Sequence, residues 1–254
     1  ALDVETFRTS SFDKTDAYAK PNWPPFNTGV AACPGCPNDC MKMYDPGYVD
    51  LDARAGAMHQ EVTGAMGPNI GTGNIQDLMR YNNELNQLGM DPVSLGFTLS
   101  FAMEALDEGI LTEKQTDGLD LRFGNATSTL EMIRKIAYRE GFGNVLAEGC
   151  KRAADELGEG SERLALHVKG LEMVPFEPRS QTNLATGYAG ASVGPRYDIC
   201  EHDWDFDTEV GWEHTLEYSR TLGILERLPM EHLGEDKVRN FKALHTIWSG
   251  ADAL

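Results

Sequence analysis

Three of the five cysteines fall within eight residues, Cys33-Pro34-Gly35-Cys36-Pro37-Asn38-Asp39-Cys40, and no other stretch restricts the fold as much. The spacing is C-x2-C-x3-C. Gly35 and the prolines at 34 and 37 disfavour a helix and force a tight path, so three thiolates can converge on one point. Soft sulfur donors select zinc, copper(I) or an iron–sulfur cluster. Three ligands in one short loop, joined by a fourth from elsewhere, is a common way to hold a [4Fe–4S] cube. Structural zinc sites more often split into two separated pairs. Three incidental thiols in a Pro/Gly loop is the bland alternative, and free cysteines rarely bunch this way without a metal or a disulfide. The loop reads as a metal loop, iron–sulfur ahead of zinc.

The remaining composition excludes more than it assigns. At 254 residues there is room for one large domain or two ordinary ones. No apolar run approaches the roughly 18 residues needed to span a bilayer, and no secretory signal opens the chain. Five cysteines with three in one loop make a poor disulfide framework, which favours a reducing compartment, the cytoplasm. A formal net charge of −18 repels phosphate backbones and argues against nucleic-acid partners. The chain begins at Ala1 and stops at Asp252-Ala253-Leu254, straight after a periodic segment, and so reads as cut from something longer.

Local signals predict a mostly helical protein. Residues 1–32 read as an extended polar segment laid over a surface, and the glycines of 44–73 as loop with short turns. From Asn74 the pattern is helix after helix. Asn74 caps a helix through Gly89, and Asp91-Pro92 supplies a carboxylate cap with proline at the first helical position. That second helix runs to about Gly109, with Leu95, Leu99, Met103 and Leu106 on one face. Thr112-x-x-Gln115 opens a short helix, and Ser128-x-x-Glu131 has capping-box form for a helix over 128–140. A further helix covers 144–157. Residues 159–212 read as irregular, apart from a strand at 165–168, and two helices follow at 213–226 and 236–249.

The order of several segments resembles the tungsten-dependent aldehyde ferredoxin oxidoreductases. These are the cysteine loop, Asn83-Glu84-Leu85 through Leu88-Gly89-Met90-Asp91, and Ile133-Arg134-Lys135-Ile136-Ala137-Tyr138-Arg139-Glu140-Gly141. Leu146-Ala147-Glu148-Gly149, His167-Val168-Lys169-Gly170-Leu171-Glu172 and Pro178-Arg179 continue the series. The likeness runs from about residue 30 to the end and covers the two helical C-terminal domains of that family. The fold it implies is mainly α, a multi-helical two-domain part, with domains at 1–165 and 166–254.

The resemblance also implies a site, residue by residue. Cys33, Cys36 and Cys40 match the family's cluster loop, beside a tungsten (or molybdenum) bis-pterin. The fourth ligand ends a D-x-x-G-L-C motif, of which Asp252-Ala253-Leu254 match the opening, so that ligand is expected beyond Leu254. Asp91-Pro92-Val93-Ser94-Leu95-Gly96 stands in the place of the sister motif but departs from it at the fourth and sixth positions. Asp91 and Asp252 would accept hydrogen bonds from pterin N–H groups, and Arg179 lies in a further cofactor-side segment. Glu61, in Gln60-Glu61-Val62-Thr63-Gly64, matches a glutamate placed near the substrate as an acid/base group. The family's partner histidine falls in a Gly-x-x-His stretch, where this chain has Gly194-Pro195-Arg196-Tyr197. Tyr197 can donate a hydrogen bond to a carbonyl oxygen but is a poor base, since its ordinary pKa is about 10. Glu61, Asp91 and Tyr197 are expected to face one cavity.

Other reactive side chains carry less. Cys150 sits on an apolar helix face and reads as core, Cys200 and the nearby His202 as weak evidence of a site, and His167 as a structural histidine. The acidic run Glu201, Asp203, Asp205, Asp207 and Glu209 reads as a solvated loop rather than a cation site. The functional expectation is an oxidoreductase taking an aldehyde to a carboxylic acid. Electrons would pass through the cluster to ferredoxin or a partner subunit, with a homodimer left open. The isolated chain is expected to lack cofactors and activity. Two alternatives remain: a divergent member acting on another substrate, such as ring reduction in a multi-subunit complex, and a non-catalytic zinc-binding helical module.

Overall fold

Caps written into the sequence set the helices. The computed structural model describes residues 4–9, 11–18, 27–32, 34, 40–44, 57–158, 160–197, 202–211, 213–221, 223–224 and 226–252. The fold is mainly α. The chain divides into two compact units, residues 2–167 with 174–176, and residues 168–173 with 177–254.

In the first unit three short antiparallel strands, β1 (Asn27–Ala31), β2 (Met41–Tyr44) and β3 (Ala57–Met58), lie in sequential order. Helix α1 (Gln60–Ala65) follows, then α2 (Ile75–Leu88), α3 (Pro92–Asp107), α4 (Ala126–Tyr138), α5 (Phe142–Leu146) and α6 (Cys150–Leu157). Asn74 caps α2 by accepting from Gln76 N, and Gly89 ends it in the left-handed region that glycine tolerates. Asp91 caps α3 through Val93 N, with Pro92 at the first helical position. Leu99, Phe101, Ala102 and Met103 of α3 have no exposure at all, so this helix is buried on most sides and the others pack around it.

Four local expectations are corrected. The glycine-rich stretch before Asn74 contains α1, buried through Glu61, Val62, Gly64 and Ala65. Helix α4 starts earlier than the Ser128 box, because Asn125 takes the cap and accepts from Ser128 N. The predicted helix 144–157 is two helices, α5 and α6, split at Gly149, whose φ of 85° interrupts the helical path. Gln115 does accept from both the backbone N and the hydroxyl of Thr112, but the segment closes as a turn, not a helix.

The second unit holds β5 (Leu171–Glu172), which forms a two-stranded ladder with β4 (His167–Val168), and α7 (Thr182–Gly190), α8 (Glu213–Arg220) and α9 (Glu235–Asp252). Helix α7 lies in a stretch read as irregular. Its small core joins Phe206, Ile224 and Leu244, with Leu216 and Trp248 packed against them. The acidic run is not the solvated loop expected at its three aspartates, although Glu209 is exposed and Glu201 lies outside the described residues. Asp203, Asp205 and Asp207 are 1%, 8% and 6% exposed. Asp203 receives the backbone N–H groups of Asn183 and Leu184 at the start of α7, and Asp207 those of Glu209, Val210 and Met230. These carboxylates are internal anchors. No helix among the described residues is long and apolar enough to cross a membrane.

Candidate functional site

The cysteine loop is the connection of a β-hairpin. Ala31 pairs with Met41 and Val30 with Lys42, so the chain enters and leaves the loop on one rung of an antiparallel ladder. The far end of β2 is fastened to the helices: Tyr44 is buried, and its hydroxyl accepts from Asn82 Nδ2 at 2.9 Å. Burial pushes the Tyr44 phenol upward, which keeps it a neutral hydrogen-bonding group. Cys33 and Cys36 lie outside the described residues. Cys40 is described: half-buried, in no disulfide, immediately before β2, with Lys42 Nζ donating to its carbonyl at 3.1 Å. Among the described residues no three His, Cys, Asp or Glu side chains gather as a metal site. Cys150 has no exposure and sits in the core, its Sγ 3.9 Å from Leu166 O. Cys200 is outside the described residues.

Glu61 occupies the first turn of α1 and is 9% exposed. Its carboxylate is therefore carried by a helix and largely withdrawn from solvent. Its Oε2 lies against His59 Nδ1, and burial lowers the pKa of that imidazole. The carboxylate also stands at the positive end of a short helix, where negative charge is favoured. Asp91 is exposed, with Oδ1 accepting from Val93 N at 3.0 Å. Glu61 and Asp91 stand near the starts of α1 and α3, two helices that cross where Gly96 meets Ala65. A Cβ at Gly96 would lie 2.5 Å from Ala65 O. That contact is a physical reason for the glycine at the sixth position of Asp91-Pro92-Val93-Ser94-Leu95-Gly96.

Three candidates belong to the second unit. Arg179 is bound by Glu177, Nε to Oε1 at 2.7 Å and Nη2 to Oε2 at 2.5 Å, and Glu177 also accepts from Arg179 N. The Glu177 carboxylate is buried, but these bonds outweigh its burial and hold its pKa below the usual range. An anion bound at Arg179 competes with that pair. Asp252 closes α9, and its side chain lies outside the described part. Tyr197 is half-buried and stacks on His202, ring centroids 5.3 Å apart and planes 22° from parallel. His202 stacks in turn on Trp204 at 4.3 Å and 15°. Burial lowers the His202 pKa to about 4, so the imidazole is neutral at pH 7. Nothing in the sequence points to this trio beyond the closeness of a histidine to Tyr197. A groove of about 460 Å³ between α7 and the start of α9, lined by Asn183, Leu233, Lys237 and Phe241 among others, contains none of the predicted site residues.

Comparison with known proteins fits this picture. The family model described as aldehyde ferredoxin oxidoreductase, domains 2 and 3, matches residues 1–254. The chain belongs to that family. A tungsten-containing aldehyde ferredoxin oxidoreductase of Pyrococcus abyssi is 34% identical over 165 residues, 64% of this chain and 26% of the relative. A Pyrococcus furiosus protein named aliphatic sulfonate oxidoreductase, WOR-like subunit, is 29% identical over 81% of this chain and 37% of its own length. The chain thus spans about a quarter to a third of the relatives it matches. Among solved structures, the active site complex BamBC of benzoyl coenzyme A reductase with 1,5-dienoyl-CoA shares the fold. Its TM-score is 0.61 at 22% identity, covering 78% of this chain and 30% of that one.

Proposed function

We propose that this chain forms the cluster-side and pterin-side part of a tungsten (or molybdenum) bis-pterin, [4Fe–4S] oxidoreductase. The reaction is oxidation of an aldehyde with water to a carboxylic acid, releasing two protons and two electrons, with the electrons passed to ferredoxin or a partner subunit. The observation that carries the reading is the C-x2-C-x3-C loop closed by the Ala31–Met41 rung and anchored through Tyr44. A hairpin holds both ends of such a loop at one place before any metal arrives, which lowers the ordering cost of binding.

The described residues fit the implied groups in part. Cys40 offers a half-buried thiol outside any disulfide, a soft donor suited to iron–sulfur. Asp91 spends one oxygen on its helix cap, which leaves the other for a pterin N–H. Arg179 fits less well because Glu177 already matches its charge. When bound, the metal–pterin and cluster supply the two-electron chemistry and the path by which electrons leave. Glu61, buried beside His59, is the proton-handling group of the first unit. Tyr197 donates its O–H to the substrate carbonyl oxygen.

Anaerobic purification of the holoprotein with metal and sulfide analysis tests the reading. Iron with acid-labile sulfide, tungsten or molybdenum, and aldehyde-dependent reduction of a viologen dye are expected, and Cys40→Ser should lower the iron content. Zinc without sulfide would replace this reading by the structural zinc module. Tyr197, standing where the family pattern has histidine, favours a second substrate class, such as a conjugated ring to be reduced. A holoprotein that contains both cofactors but is inert toward aldehydes would support it.

A further inference from the structure

We propose that His202 is a positioning residue for Tyr197: the face of its imidazole, backed by Trp204, fixes the phenol ring so that its hydroxyl points in one direction. This rests on the oxidoreductase reading above, in which that hydroxyl meets the substrate carbonyl.

Three observations converge. First, the rings are stacked with their planes close to parallel. At 5.3 Å and 22° for Tyr197–His202, and 4.3 Å and 15° for His202–Trp204, the three rings form one continuous stack. Second, the stack is mounted on an anchored turn. Residues Asp203–Phe206 form a single 3-10 turn whose Asp203 is tied to α7 and to Lys237. Phe206 lies in the core, and Asp207 just beyond is fixed by three backbone N–H groups. Buried charges with specific partners hold this turn in register, so His202 and Trp204 have little freedom to move. Third, the imidazole is uncharged over the neutral range because burial depresses its pKa to about 4. A ring that offers its face and titrates far below neutral is suited to holding a neighbour rather than carrying a proton at neutral pH.

Holding matters because a phenol on a half-exposed loop rotates about two side-chain torsions. A donor aimed at a developing negative charge works only if its direction is already set. Stacking of this kind is worth about a three- to ten-fold effect on rate if it is made fully in the transition state. The nitrogen atoms of residue 202 are not needed for it; the flat ring is.

The test compares His202→Phe, which keeps a flat ring without nitrogens, with His202→Ala, in the holoenzyme and in a Tyr197→Phe background. His202→Ala should lower kcat about three- to ten-fold with little change in KM. His202→Phe should recover most of that loss, and His202→Ala should add nothing once the Tyr197 hydroxyl is gone. In the full chain, independently of turnover, the ring-current shifts of the Tyr197 resonances should survive in His202→Phe and vanish in His202→Ala. If His202→Ala does not fold, His202→Leu serves as the non-planar variant. Equal losses in the Phe and Ala variants would show that the nitrogens matter. An undiminished Ala effect in the Tyr197→Phe background would show that Tyr197 is not the target. Either result overturns the proposal. A wild-type holoenzyme without iron would overturn the functional reading instead, whereas normal iron content with indistinguishable His202 variants would fail this proposal alone.

Discussion

Lys237 and Asp203 form an ion pair inside the second unit, Nζ 2.5 Å from Oδ1, with side chains 7% and 0% exposed. Burial raises the Asp203 pKa, while Lys237 and the N–H groups of Leu184 and Asn183 pull it back. Lys237 is further satisfied by the carbonyls of Pro229 and Met230. The pair therefore ties the first turn of α9 to the first turn of α7 and to the turn that carries the aromatic stack. An ion pair so buried stabilises little relative to an apolar substitute of equal shape, but breaking one side leaves an uncompensated charge.

Lys237→Met should therefore destabilise the protein by about 3–5 kcal/mol. Paired replacement with Asp203→Leu should recover part of that loss. Urea unfolding of the two variants checks this. A single-variant loss below about 1 kcal/mol would mean that Asp203 reaches water or another donor.

Gln181 is the reverse case, a polar group with nothing to hold. It has no exposure, and among the described residues neither amide atom has a hydrogen-bond partner, although it stands at the N-cap position of α7. Asp203 has taken the capping role at this helix end. Leaving a buried amide unpaired costs about 1–3 kcal/mol, so Gln181→Met, close in shape, should stabilise by a similar amount. A thermal shift downward would show that the amide is satisfied after all.

What the sequence made legible follows the range of the interactions. Asn74, Gly89 and Asp91-Pro92 act on backbone groups a few residues away, and their helices begin and end where those residues say. Asn125 and Ser128 compete for one helix start, and a local pattern does not rank them. The β1–β2 hairpin was hidden because Asn-Thr-Gly-Val-Ala is short, largely exposed and without alternation. The burial of Asp203 was hidden because its cation comes from a distant helix. Among candidate site residues, Glu61 is visible in the sequence only as a motif match; its burial and its contact with His59 require the fold. The tie between His202 and Tyr197 is invisible in the sequence, because ring stacking has no spacing signature.

Gly96 should not tolerate even alanine. A Cβ there would meet Ala65 O at 2.5 Å, its C at 2.8 Å and its Cβ at 2.9 Å, and two of these are backbone atoms that cannot swing aside. Forcing α1 and α3 apart at this crossing should cost about 1–3 kcal/mol. The gain in helix propensity, about 1 kcal/mol, opposes that cost only in part. Because α1 begins beside His59, the same variant should also loosen the burial of that imidazole, readable as a rise in the His59 pKa toward its ordinary value by NMR titration. An unchanged melting temperature would show that the helices can slide apart freely.

The depressed pKa of His202 makes stability depend on pH with a definite sign. The folded value is about 4 against 6.5 for the unconstrained side chain. Between those values the unfolded chain binds a proton that the folded chain refuses, so stability rises with pH across the window. The contribution is fully present above pH 6.5 and is lost as the pH falls toward 4. At 1.36 kcal/mol per unit, the loss is at most about 3 kcal/mol. His59, also lowered by burial, tilts the curve in the same direction, whereas Glu177 and Asp207, lowered as acids, act mainly below this window. The His202 share is isolated by difference. The unfolding free energy of the wild type minus that of His202→Phe should fall as the pH is lowered from 7 to 4.5, because only the wild type has an imidazole at position 202 to protonate. Parallel curves over that range would show that the ring of His202 is open to water in the folded protein.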